Sequence, residues 1–361
     1  MIIDPLHNWF SSNNKTNLIT GPCGAESFEQ LSKTIEDLNK FKISPSFFRA
    51  GVWKPRTRPN SFEGKGEEAL KWLAELKQTY NQKIIVEVAN AQHAELALKY
   101  NIDALWIGAR TTGNPFSVQE IADVVKGKNI PILIKNPIHT DLQLWLGAIE
   151  RFSNNGIKQL AAIHRGFHVY GKTKYRNKPF WNIPIELRTV LPNLPLLCDP
   201  SHICGNTELI PQVAQKALDL GFDGLMLESH FNPNIALSDA NQQLTPLQLH
   251  GLLNNLIIRK VKINLSDKKN TLQELRNLID EIDEDLLNLL KKRINTISQI
   301  ATYKKENNIA IFQLERWQEI IRTRAQLADK LGLSRQHVEK ICQLLHEESI
   351  KHQNNLMNNN N

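Results

Sequence analysis

The sequence predicts an α/β protein, a (β/α)8 TIM barrel followed by an all-α three-helix domain. Eight short apolar runs recur between about residues 17 and 230, each followed by a longer amphipathic stretch. Parallel strands covered by helices read this way, and eight β/α repeats close a barrel. A polar segment from Ser266 to Asn270 then interrupts the pattern, and beyond it the apolar residues recur at helical spacing only.

The runs in order are LITG, SFFRA, KIIVEV, ALWIGA, PILIK, QLAAIH, LPLLCD and GLMLES, with the last barrel helix expected over about Pro246 to Lys260. The expected layout is a barrel over 1–262, a linker over 263–270, a helical domain over 271–357 and a polar, disordered tail over 358–361. In the helical domain Leu275, Ile279, Ile282, Leu286, Leu289, Ile294, Ile297 and Ala301 form one stripe, with no Pro or Gly between Thr271 and Asn308. That is one helix of about 55 Å. Two shorter helices follow, Leu314 to Lys330 and, after Gly332 and a Ser334 cap, Arg335 to about Asn355. Two short helices cannot cover so long a stripe, so a homodimer through this domain is expected.

Composition narrows the function. The 361 residues are 41% hydrophobic and 22% charged, enough for substantial cores. No apolar run approaches a membrane span and the N-terminal stretch lacks the basic start and apolar core of a signal peptide, so a cytoplasmic location with no membrane partner is expected. The net charge of +7 is spread over single Lys and Arg residues, not gathered in a basic block with interleaved aromatics, which points to small anionic substrates and away from nucleic acid. Four cysteines, Cys23, Cys198, Cys204 and Cys342, show no CxxC pairing and read as buried thiols or metal ligands.

In a TIM barrel the active site lies at the C-terminal ends of the strands. Reactive residues follow all eight runs: Cys23; Arg49, Lys54, Arg56 and Thr57; Glu87; Arg110; Lys135 and Asn136; His164 and Arg165; Asp199, Ser201 and His202; Glu228 and His230, with Asp239 just beyond. Cations converging on one mouth need anions among them, and phosphates match Arg forks and Lys points. Cys23, His202, Glu228 and Asp239 offer a mixed S/N/O set suited to a catalytic divalent transition metal, whether Mn, Fe, Co or Zn. Cys204, two residues past His202, reads as core packing.

The segments GPCGAES, KPRTRPNSFEGKG, WIGAR, IKNP, HRG, DPSH and MLESHFNPNIALSDANQQLTP resemble 3-deoxy-D-arabino-heptulosonate 7-phosphate (DAHP) synthase, type I, beta subgroup, over about residues 15–250. The KPRT loop separates this group from the related octulosonate 8-phosphate synthase. The resemblance implies condensation of phosphoenolpyruvate with erythrose 4-phosphate and water. Cys23, His202, Glu228 and Asp239 would be the metal ligands, with Lys54, Arg110, Lys135 and Arg165 around phosphoenolpyruvate and Arg49, Arg56 and Thr57 around erythrose 4-phosphate. Two positions depart from the common pattern: Arg58 stands where a Ser usually follows KPRT, and His164 where a Glu often precedes Arg-Gly. A proton-transfer or water-orienting role and a core position are both open to His164.

Residues 272–353 resemble the all-helical class of chorismate mutase, a dimer of three-helix chains, through LRNLIDEIDEDLLNLLKKR, YKKEN, LER and HEESIKHQ. The resemblance implies rearrangement of chorismate to prephenate. Arg276 from across the dimer, Arg293 and Arg316 would hold the carboxylates, and Lys304 and Gln353 the ether oxygen. Gln313 and Trp317 stand where the family commonly has carboxylates touching the ring hydroxyl, and Glu315 or Glu319 is the expected substitute. The alternative is a dimerisation module that senses chorismate or prephenate and regulates the barrel.

Overall fold

Each of the eight apolar runs forms a strand in the computed structural model of the protein, which describes residues 1–10, 16–54, 62–171, 173–259 and 269–358. The strands are β1 (Asn17–Gly21), β2 (Phe47–Ala50), β3 (Ile84–Val88), β4 (Ala104–Ile107), β5 (Ile132–Lys135), β6 (Leu160–His164), β7 (Leu196–Cys198) and β8 (Gly224–Glu228). All neighbours pair in parallel, and β1 pairs with β8 over five residues from Asn17↔Gly224 to Gly21↔Glu228, which closes the barrel and leaves no edge.

The outer ring comprises α1 (Phe28–Lys40), α2 (Glu67–Tyr80), α3 (Ala91–Lys99), α4 (Ala109–Thr112), α5 (Pro115–Val125), α6 (Leu142–Asn154), α7 (Asn182–Val190), α8 (Pro200–Cys204), α9 (Ile210–Asp219) and α10 (Pro246–Asn255). Helix starts follow side-chain chemistry. Ser27, Asn90, Asn114 and Asp141 each accept a hydrogen bond from a first-turn N–H, and Thr245 and Gln248 complete a capping box. The last barrel helix ends at Asn255, short of the expected Lys260.

Strand alternation divides the core in two. Leu18, Phe48, Val86, Leu105, Ile134, Ala162 and Leu225 face the helices. Ile19, Phe47, Ile85, Ala104, Trp106, Leu133, Ala161, Ile163, Leu197 and Met226 fill the barrel interior together with Trp9 and Phe10. The interior is therefore a packed plug, not a pore.

The chain divides into two compact units, Met1–Val261 and Lys262–Asn361. The second holds α11 (Lys269–Glu306), α12 (Leu314–Lys330) and α13 (Arg335–Asn358). The 38 residues of α11 span about 57 Å. Its interior-facing stripe is short: Ile297 and Ala301 are buried, whereas Leu275, Ile279, Ile282, Leu286 and Leu289 are all about half exposed within one chain. Asn358, where the expected tail would start, is helical, and 359–361 lie outside the described residues. Most of the expected linker, 263–268, lies outside them as well. No described helix is long and apolar enough to cross a membrane.

Candidate functional site

The interior-facing register continues by two residues at the top of several strands, and there the chemistry changes. Arg49 follows Phe47, Glu87 follows Ile85, Lys135 follows Leu133, Asp199 follows Leu197 and Glu228 follows Met226. A layer of charge thus rests on an apolar plug whose uppermost ring is Trp106. The guanidinium of Arg49 lies 4.9 Å and the ammonium of Lys135 5.7 Å from the Trp106 ring centre, and the indole N–H donates to Glu87 Oε2 at 3.1 Å. Gly108 permits this packing, since a Cβ there would fall 2.0 Å from Glu87 Oε1.

The cations are paired with carboxylates. Lys135 Nζ donates to Asp199 Oδ2 at 2.7 Å, and Arg49 Nη2 lies 3.0 Å from Glu228 Oε1, all four side chains being buried. Arg49 nevertheless keeps Nε and Nη1 buried without hydrogen-bond partners. Burial alone would raise the Asp199 carboxyl, but His202 and Lys135 together hold it well below the usual carboxylate range.

The four expected metal ligands arrive as two pairs. Cys23 Sγ lies 3.3 Å from Asp239 Oδ2, and His202 Nε2 lies 3.7 Å from Glu228 Oε1. Asp199 bonds His202 Nδ1 at 3.0 Å, which fixes the ring and turns Nε2 towards Glu228. A carboxylate that orients a ligating imidazole in this way is the usual support of a metal site. Among the described residues no three His, Cys, Asp or Glu side chains converge as a finished cluster. Instead Lys54 Nζ sits 2.9 Å from Cys23 Sγ and 3.0 Å from the Cys23 carbonyl. Gly51 makes room for this contact, because a Cβ would meet the same carbonyl at 2.3 Å. Burial first, and then Glu228, push the Cys23 thiol up to about 12, so ligation as a thiolate requires a cation stronger than Lys54 to displace the proton.

Other expected residues fall in different places. Arg165 belongs to the mouth: its backbone N–H donates to Asn136 Oδ1 at 2.7 Å and its Nη1 to Asn177 Oδ1 at 2.8 Å. Arg110 is exposed in α4, just beyond the end of β4. Arg56 and Thr57, with the unusual Arg58, lie outside the described residues. His164 turns the other way. Its register partner Cys198 belongs to the helix-facing core, and its ring packs among Phe167, Trp181 and Phe222. Burial, reinforced by Arg165, pushes His164 down to about 3. Of the two roles open to His164, the ring's place is the neutral core position and not the mouth, because strand alternation directs it outward.

Three residues that the sequence did not single out complete the mouth. Arg176 Nη1 donates to Asp239 Oδ1 at 3.0 Å and to Gln242 Oε1 at 2.8 Å, and Gln242 Nε2 donates to Glu228 Oε2 at 2.6 Å. Asn177 links Arg165 to the His202 carbonyl. Arg176 and Asn177 lie in an irregular loop and Gln242 ends a single 3-10 turn, where no periodicity marks them. Their only signal was the polar density of YRNK and DANQQ. Arg176 and Asp239 also line a cleft of about 450 Å³ that opens beside the two ligand pairs.

In the helical unit Arg293, Lys304 and Gln353 come together around the inner faces of α11 and α13. Arg293 Nη1 donates to Ser349 Oγ at 2.7 Å, and Lys304 Nζ donates to the Ile311 carbonyl at 2.6 Å. Gln353 is buried with its Oε1 unbonded. Arg316 instead pairs with Glu319 at 2.6 Å on an exposed face of α12, and Arg276 is exposed on α11. Glu319 is thus engaged with Arg316 within one chain.

A closed parallel barrel with buried cations and carboxylates at the C-terminal strand ends has the architecture of a TIM-barrel enzyme. The sequence profile of the DAHP synthetase I family matches residues 8–263, and that of chorismate mutase type II matches residues 275–354. The chain belongs to the DAHP synthetase I family and carries a chorismate mutase type II domain after it. It is 29% identical over 232 residues to the phospho-2-dehydro-3-deoxyheptonate aldolase of Thermotoga maritima, a match that spans 64% of this chain and 66% of that protein. It is 27% identical over 265 residues to a 2-dehydro-3-deoxyphosphooctonate aldolase of Campylobacter jejuni, covering 67% of this chain and 96% of the relative. The crystal structure of the Thermotoga maritima DAHP synthase superposes with a TM-score of 0.59 at 28% identity, over 67% of this chain and 68% of that one.

Proposed function

We propose that the barrel condenses phosphoenolpyruvate with erythrose 4-phosphate and water to give DAHP and phosphate, and that the helical domain rearranges chorismate to prephenate. The observation that carries the first half is the buried charged layer. Among the described residues Arg49 has two unbonded donors and Lys135 donates to the Asp199 carboxylate, so an incoming phosphate or carboxylate finds preorganised partners above a dry apolar floor. Arg165, steadied by Asn136 and Asn177, adds a third cation to the same mouth. Lys54 would be released from Cys23 towards substrate where a metal cation takes over the thiolate.

Cys23, His202, Glu228 and Asp239 would hold a divalent transition metal, which supplies Lewis-acid polarisation of the aldehyde. Asp199 keeps the His202 ring aimed, Gln242 orients Glu228, and Arg176 anchors Asp239 from outside. Arg49, Arg56, Thr57 and Arg110 would share the remaining phosphate contacts. The two kinds of relative are named for a seven-carbon heptonate and an eight-carbon octonate, and the KPRT segment favours the four-carbon sugar that leads to the former. Phosphoenolpyruvate consumption that needs erythrose 4-phosphate, stops on chelation, and does not proceed with arabinose 5-phosphate is the expected result. Consumption with arabinose 5-phosphate instead would overturn the assignment.

In the helical domain Arg293 and Arg316, with Arg276 of the partner subunit, would bind the two carboxylates, and Lys304 and Gln353 would stabilise charge developing on the ether oxygen as its bond breaks. The half-exposed apolar stripe of α11 supports the homodimer that this requires. Prephenate formation by the full chain, lost in Arg293→Ala, is the expected outcome. Tight prephenate binding without turnover would favour the sensing module.

A further inference from the structure

α13 presents His346, Ser349 and Gln353 at spacings of three and four, which places them along one face. Ser349 and Gln353 are buried, and Ser349 accepts from Arg293, so this face packs towards the cation-bearing face of α11. His346 was not among the residues expected there. Its ring stacks on Trp317 at 4.1 Å with an interplanar angle of 16° and meets Phe312 edge-on at 5.8 Å. Two aromatic contacts from two directions fix the imidazole in one orientation. Its Nε2 is buried and makes no hydrogen bond, as does the neighbouring Gln353 Oε1. An unbonded buried polar atom costs about 1–3 kcal/mol, and a ligand group can recover it.

We infer that His346 is a specificity-determining residue of the helical-domain site, with Nε2 taking the ring hydroxyl of chorismate as its hydrogen-bond partner. The inference rests on the mutase reading given above. Arg293 and Lys304 serve the carboxylates and the ether oxygen, which leaves the hydroxyl as the one substrate polar group without a partner. A neutral imidazole suits a neutral hydroxyl. Burial first, then Arg293 and Lys304 of α11, lower the affinity of His346 for a proton, opposed by Glu347 on its own helix, while Trp317 of α12 stacks its uncharged ring against it. Trp317 thus acts through His346 by holding the ring, and the two together replace a carboxylate at position 317.

The test compares chorismate with 4-deoxychorismate, which lacks the hydroxyl, as substrates of the full chain carrying His346→Leu or His346→Gln. The wild-type chain is expected to prefer chorismate by roughly tenfold or more in kcat/KM, the worth of one hydrogen bond that otherwise leaves its partner unsatisfied. His346→Leu should abolish that preference, and His346→Gln, whose amide reaches the same point, should restore most of it. A preference unchanged in His346→Leu overturns the role of His346 while leaving the mutase reading intact. Absence of prephenate formation by the wild-type chain overturns the mutase reading and the His346 role with it. Thermal unfolding followed at 222 nm separates either result from a collapsed helical unit.

Discussion

Arg49 and Glu228 bury opposite charges against each other with almost no exposure. Removing one partner strands the other in a dry interior, so Arg49→Leu should cost about 3 kcal/mol or more of barrel stability, measured by urea unfolding, besides abolishing phosphoenolpyruvate consumption. Asp199→Asn leaves His202 without its orienting carboxylate and should weaken metal binding by roughly 10–100-fold in equilibrium dialysis. His164 makes a pH prediction. Its folded-state value is about 3, far below that of an exposed histidine, so the unfolded chain binds the extra proton and stability falls as pH drops below the ordinary histidine range. His164→Phe should remove about 1.4 kcal/mol per pH unit from that slope between roughly pH 4 and 6. Because its ring lies outside the mouth, turnover with saturating substrates should change little. Reading such residues from sequence worked where strand alternation governs. Arg49, Lys135 and Glu228 stand two residues beyond an interior apolar neighbour, and that spacing alone aims them inward. It left two roles open at His164, where motif adjacency to Arg165 suggested shared duty although neighbouring strand residues face opposite ways.

Among elements, α11 carries the strongest demand. Within one chain it buries Ile297 and Ala301 near its C-terminal half, while Leu286 and Leu289 remain more than half exposed. Leu286→Glu keeps helix propensity but puts charge on the stripe, and is expected to sediment as a monomer and lose prephenate formation with the dimer. The existence of this helix was legible from its uninterrupted apolar period. Its ends were not: it runs from Lys269 to Glu306, and Asn308, with φ of 53°, turns the chain where the pattern gives no Gly. The loop carrying Arg176 and Asn177 shows the opposite limit, for irregular backbone has no period and its role emerges only from contacts to Asp239 and His202.

At the scale of the whole molecule, the barrel closes on itself through β1 and β8 and the helical unit makes its own core. A chain ending after Val261 is therefore expected to fold and to retain metal-dependent phosphoenolpyruvate consumption. Loss of that activity, with circular dichroism still showing a folded barrel, would mean that the helical unit completes the synthase. The order of the two units was legible because strand-like runs cease after GLMLES, whereas the pairing of buried cations with carboxylates at the mouth required the fold, since Lys135 and Asp199 lie 64 residues apart.

Trp106, sealed beneath Arg49 and Lys135, is an indole held in a strong electric field. A dianion arriving above those cations reverses much of that field while the ring stays dry. Absorption and emission of this one chromophore should then shift in wavelength on occupancy of the barrel mouth, which gives the enzyme an optical read-out of substrate binding that needs no label and no turnover.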